Sequence, residues 1–243
     1  MAARARRTWA RRILAGLMAC GAAAIAPPDA RAATDLTLTA EDGVTLTASL
    51  WEPAGRPLAG VVLVHGPART RHDWDRLGDQ LARRGFLAVA VDLRGHGESL
   101  AVEAGGDLAA MGRDVVAAAR YLLSHAGGPV ELGVIGVSMG GTLGVLAAQA
   151  VPAIRSFAWV STPLDFRGLR IEEPLRKLGE RPALVIASNE DTYAARSART
   201  LAETGPGLRE IILVEGAGHG ARILTSRPDL LPVVVDWFVR TLL

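Results

Sequence analysis

Val134-Ile-Gly-Val-Ser-Met-Gly-Gly-Thr142 closes an apolar, β-branched run that begins at Leu132, and a Gly/Ala/Leu-rich helical pattern follows from Thr142 to Ala150. That order predicts a strand, a sharp turn and a helix, with Ser138 at the apex. Lifting a serine hydroxyl clear of a sheet edge takes a crowded, strained turn, in which a Cβ at Gly136 or Gly140 would collide. The following helix would aim its free N–H groups and the positive end of its dipole at the same point, where an oxyanion can be stabilised. Gly-x-Ser-x-Gly also arises by chance as an ordinary strand-to-helix turn, so its meaning depends on partners elsewhere in the chain.

Outward from this turn the chain alternates. Val61–Val64 and Leu87–Val91 are continuous apolar runs, the mark of strands buried on both faces, and Phe157–Val160, Ala183–Ala187 and Ile211–Val214 repeat the pattern downstream. Helical spacing separates them, at Asp73–Arg84 (Trp74, Leu77, Leu81), Leu108–His125 and, at the end, Leu230–Leu242. Upstream, Leu36–Thr39 and Val44–Trp51 alternate apolar and polar residues around Glu41-Asp42-Gly43, which predicts an antiparallel hairpin at a sheet edge. Strands alternating with helices define an α/β fold with a mostly parallel sheet covered on both faces. No repeat or low-complexity linker divides it, so residues 33–243 read as one domain.

In such a sheet, ligands gather at the carboxyl ends of the strands. Ser138 directly follows one strand, Asp191 lies just beyond Ala187, and His219 just beyond Val214, so all three fall at one edge. Taken singly, Asp191 could be a helix N-cap and His219 a surface residue of a glycine-rich loop. Together they make a nucleophile, a base and an orienting acid, with Glu190 as the rival for the acid.

The Gly-x-Ser-x-Gly elbow and the chain order Ser, Asp, His resemble the serine-nucleophile α/β-hydrolases over residues 36–243, including dienelactone-hydrolase-like and small esterase or peptidase-like members. The resemblance implies Ser138, Asp191 and His219 as the catalytic triad and the Met139 N–H as one oxyanion-hole donor. Many relatives take the second donor from the residue after His-Gly. Here that residue is Pro67, which has no N–H, so Ala68 becomes the alternative. A further departure is Ser188, where relatives carry the glycine of Gly-x-x-Asp. Asp92-x-Arg-Gly-His-Gly-x-Ser99 resembles a family stretch that shapes its turn, which makes Arg94 and His96 structural. Relatives with long, greasy substrates insert a cap before the acid-bearing strand. Here only 162–182 is available, with one short helical stretch expected at Leu169–Gly179, which implies a minimal cap and an open, shallow site.

The chain has 243 residues, 49% of them hydrophobic and 21% charged, enough for one domain with a full core. The pI of 9.2 invites a nucleic-acid reading. The basic character, however, lies in residues 1–32, which carry six arginines and Asp29, while the remainder is net acidic. Those residues resemble an export signal: a basic start, an apolar run from Ile13 to Ala26 too short to span a membrane, and Ala30-Arg31-Ala32 as a cleavage site. The expected location is periplasmic or secreted, with lipidation at Cys20, in Leu17-Met-Ala-Cys20, as a rival outcome. Cys20 is the only cysteine, so no disulfide is expected. The five histidines show no metal-ligand spacing, and no phosphate loop or dinucleotide fingerprint is present, so no metal and no cofactor are expected. The expected partner is a small-molecule ester, not nucleic acid. A peptidase or amidase of the same fold, or a non-catalytic binding protein, remain the alternatives, and the sequence does not specify an oligomeric state.

Overall fold

The computed structural model describes residues 32–100 and 107–243. The expected export signal over 1–32, Cys20 included, lies outside the described residues except for Ala32. The elements run β1 (Thr34–Thr39), β2 (Thr45–Trp51), β3 (Ala59–Val64), α1 (Asp75–Arg83), β4 (Phe86–Val91), α2 (Leu108–His125), β5 (Leu132–Val137), α3 (Met139–Ala150) and β6 (Ile154–Val160). They continue with β7 (Asp165–Phe166), β8 (Leu169–Arg170), α4 (Glu172–Lys177), β9 (Ala183–Ser188), α5 (Thr192–Glu203), β10 (Arg209–Val214), α6 (Ala221–Ser226) and α7 (Leu230–Leu242). Eight strands form one sheet in the order β1-β2-β4-β3-β5-β6-β9-β10. The expected hairpin is its antiparallel edge, and the strands from β4 to β10 are parallel.

Strand periodicity sorts the core into two layers. Val62, Val64 and Val134 face α2, α3 and α5, through residues such as Val115, Leu143 and Leu201. Val61, Leu63, Ile135 and Val137 face α1, α6 and α7, through Leu77, Ile223 and Trp237. Every residue of β3, β4 and β5 is buried, as their unbroken apolar sequences require.

Two expectations are corrected. Helix α3 begins at Met139, not Thr142, because Gly140 and Gly141 are part of its first turn. A Cβ on Gly140 would stand 2.3 Å from the Val64 carbonyl oxygen, and one on Gly136 would stand 2.3 Å from the Gly141 nitrogen. The glycines are there for close approach, which their low helix propensity masks in the sequence. Leu169–Gly179 is likewise not one helical stretch: Leu169–Arg170 pairs with Asp165–Phe166 as a two-stranded ribbon, and only Glu172–Lys177 is helical. Arg167 and Gly168 both have positive φ, 52° and 87°, the pattern of a two-residue type I′ hairpin turn.

Gly140→Ala is expected to destabilise the protein by on the order of 3 kcal/mol, because the obstacle is backbone and not a movable side chain. Urea unfolding of the variant beside the unaltered protein measures this, and an unchanged midpoint would show that α3 can move away.

Candidate active site

At the end of β5 the chain turns through Ser138, whose φ of 51° and ψ of −116° lie outside the regions that side-chain-bearing residues favour. The Ser138 N–H donates to the Val160 carbonyl (2.8 Å), which leaves the residue 6% exposed and its hydroxyl at the sheet edge. The Met139 N–H opens α3 and, like the first N–H groups of any helix, has no intrahelical acceptor.

His219 sits in the turn between β10 and α6, flanked by Gly218 and Gly220 at φ 71° and 65°. Its Nδ1 meets Asp191 Oδ2 in a short contact. The carboxylate can only accept there, so Nδ1 carries the proton and Nε2 is left as the basic nitrogen. Asp191 also caps α5, its Oδ1 accepting the Ala194 N–H at 2.9 Å. The cap of α5 and the contact with His219 are thus made by different oxygens of one carboxylate. Glu190, the rival acid, accepts instead from the Ser188 hydroxyl and the Gly216 N–H. It ties the end of β9 to the loop that carries His219, and the Ser188 hydroxyl bond holds its carboxyl below the usual range.

Ser138 and His219 line one small cavity of about 130 Å³, together with Gly66, Pro67 and Arg222. No hydrogen bond joins the two side chains to each other. A larger cavity of about 770 Å³ is lined by Met139, and Pro67 borders both. Ala68 lines this larger space with Met139 and has a left-handed backbone, φ 55°. The turn of the β7–β8 ribbon, Arg167-Gly168, forms part of its wall, so the site is bounded by a ribbon that the sequence reading did not anticipate. The signal was Arg167-Gly168 itself, a weak form of the Asn-Gly hairpin pattern.

The loops behind the site are held by buried polar groups. Asp92 accepts from the Arg71 backbone N–H (2.6 Å), the Arg71 guanidinium (2.6 Å) and the Glu98 N–H (3.0 Å). Arg94, only 4% exposed, is clamped between Asp42 and Asp114, which raise its pKa further. The structural role expected of Arg94 is thus visible. His96 hydrogen-bonds within its own turn, Nδ1 to the Arg94 carbonyl at 3.1 Å, but also lines the larger cavity. Arg71, buried and paired, was not singled out from the sequence, where it is one of many arginines.

His65 is fully buried before the Gly66-Pro67 turn. Its Nδ1–H donates to the Gly66 carbonyl (2.8 Å) and Nε2 accepts the Leu93 N–H (3.1 Å). Burial lowers its pKa from 6.5 to about 4, partly offset by the Gly66 bond. Among the described residues no group of three or more His, Cys, Asp or Glu is placed to hold a metal ion, and no helix is long and apolar enough to cross a membrane.

Residues 55–181, just over half of the chain, match the family described as Serine aminopeptidase, S33 (Hydrolase_4). The chain belongs to this α/β-hydrolase family. The match takes in the elbow and stops before Asp191 and His219. Over 85 residues the hydrolase is 35% identical to a bifunctional esterase/perhydrolase of Acinetobacter calcoaceticus, covering 35% of this chain and 30% of that one. Over 129 residues it is 31% identical to a monoglyceride lipase of Rattus norvegicus, covering 51% of this chain and 41% of that one. The matches thus span less than half the length of either curated relative. The structure of a dienelactone hydrolase from Anabaena variabilis superposes with a TM-score of 0.73 at 18% identity, over 89% of this chain and all of that one, a likeness of fold.

The His65 shift has a sign. Between pH 6.5 and about 4 the unfolded chain binds a proton at this position that the folded hydrolase does not, so stability falls as pH drops through that window. The expected loss is about 3 kcal/mol, and it ends near the folded pKa. His65→Gln is expected to flatten this slope whatever its absolute stability, which urea unfolding at pH 7 and pH 4.5 would measure. An unaltered slope would assign the acid sensitivity elsewhere.

Proposed function

We propose that this hydrolase cleaves small carboxylic esters through an acyl-enzyme. The observation that carries the reading is the strained Ser138 at the head of α3, facing the same cavity as a histidine whose other nitrogen is held by Asp191. In this reading Ser138 Oγ attacks the ester carbonyl and its proton passes to His219 Nε2, while the Met139 and Ala68 N–H groups stabilise the oxyanion. Collapse expels the alcohol, which takes the proton from His219. A water then attacks the acyl-serine with His219 again as base, and the acid is released. Asp191 keeps Nδ1 protonated throughout and stabilises the imidazolium. Esters are also named in both curated relatives' descriptions, an esterase/perhydrolase and a lipase.

The family description favours a second reading, an aminopeptidase. Such an enzyme needs a carboxylate to receive the substrate's ammonium group. Asp107 is the only carboxylate among the described residues lining the two cavities, and it is engaged in capping α2. We further propose that residues 1–32 export the protein, so that the form isolated from its native host begins near Ala33. An intact leader found by N-terminal sequencing would overturn that.

A fluorophosphonate probe is expected to label the protein, and to label neither Ser138→Ala nor His219→Ala. Failure of the unaltered protein to label would leave a binding protein, with Pro67 as its leading departure. Asp191→Asn is expected to lower kcat by about 10⁴-fold. Because Asn still caps α5, Asp191→Ala is expected to add a stability loss of about 1 kcal/mol that Asn does not cause.

A further inference from the structure

The larger cavity has apolar walls, from Leu108, Met111, Met139, Phe166 and Leu169, and Arg167 is the one arginine among the described residues that line it. Arg167 lies 5.6 Å from the Phe166 ring centroid and makes no ion pair among the described residues. The one carboxylate among the described residues of this wall, Asp107, accepts the Ala109 N–H at 3.0 Å as the cap of α2. The smaller cavity, which Ser138 itself lines, has Arg69, neutralised by Asp73, and Arg222, which is also without an ion pair among the described residues. Each of the two cavities, which share Pro67, thus has one arginine with no ion pair among the described residues.

A second observation singles out Arg167. It occupies the first central position of the β7–β8 turn at φ 52°, where glycine or asparagine sits with less strain. Asp165 clamps this turn, its carboxylate accepting from the Gly168 N–H (2.7 Å) and Arg170 Nε (3.2 Å), and its carbonyl from the Tyr193 hydroxyl (3.2 Å). A long cationic side chain is thus kept at a strained position on a fixed wall of the cavity, and strain of this kind accompanies function.

We propose that Arg167 is a specificity-determining residue that binds a carboxylate at the far end of the acyl group, so that the preferred substrates are half-esters of dicarboxylic acids. The proposal rests on the ester reading. His219 must protonate the leaving alcohol and borders the smaller cavity, so the acyl group enters the larger one past Met139. The apolar walls accommodate its methylene chain and Arg167 meets its charged end. Hydrolysis adds one water and yields the alcohol and the dicarboxylate.

Monomethyl glutarate and methyl valerate, matched in chain length, test this by pH-stat with the unaltered protein, Arg167→Gln and Arg167→Lys. The unaltered protein is expected to favour monomethyl glutarate in kcat/KM. The anionic-to-neutral ratio should fall about tenfold or more in Arg167→Gln, mainly through KM, while Arg167→Lys retains most of it. Added salt should also reduce the ratio. An equal ratio in the unaltered protein and Arg167→Gln, or an equal loss in both variants, would overturn the proposal. Calorimetric binding of monomethyl glutarate to Ser138→Ala, with and without Arg167→Gln, separates the two readings. Binding weakened by Arg167→Gln in a protein that hydrolyses neither ester would leave the anion site standing and remove the esterase. Hydrolysis of both esters without charge preference would do the reverse.

Discussion

The first turn of α3 lies against β3 and β5 with no room for side chains between. A Cβ on Gly140 would meet the Val64 and His65 carbonyl oxygens at 2.3 and 2.7 Å. This contact is between backbones, so it has none of the slack that rotamers allow. It joins the strand before Ser138, the helix after it and the loop after His65 into one rigid body. Ser138 and the Met139 N–H belong to that body. Pro67, which has no N–H, follows directly on that body, and the next N–H along is that of Ala68, whose backbone is left-handed.

Around this body the loops after β3 and β4 are secured by charge. Arg71 with Asp92, and Arg94 with Asp42 and Asp114, place two guanidiniums in the interior with carboxylate partners. Buried pairs of this kind add little net stability over apolar packing, but breaking one leaves an uncompensated charge, so they enforce a single loop arrangement. His65 acts likewise without charge. As a neutral ring with one donor and one acceptor, it bridges the β3 and β4 loops, and protonation would spoil the Leu93 bond.

The fold was legible because its strands are unusually pure. β3, β4 and β5 are uninterrupted apolar runs, and the hairpin of β1 and β2 alternates as an edge should. The elbow was legible because Gly136 and Gly140 have a steric cause that also spaces them. The β7–β8 ribbon was not, since two-residue strands carry no periodicity and Arg-Gly is a faint turn signal. Nor was Arg71: an arginine's burial depends on where Asp92 lies in space, and sequence spacing does not reveal that. Asp191 shows a different limit, since cap and acid were weighed as rivals although a carboxylate has two oxygens and can serve both.

β10 is the sheet's outer strand, with β9 as its single neighbour, and of its six residues only Val214 is buried. β5, by contrast, is paired on both sides and wholly buried. Ser138 thus follows a wholly buried central strand and His219 a sparsely buried edge strand, and edge strands with few buried contacts open at lower free energy than central ones. On warming, the loop of His219 is expected to open before the turn at Ser138 does. Heating would then first part His219 from Ser138 reversibly, before the core is exposed to water.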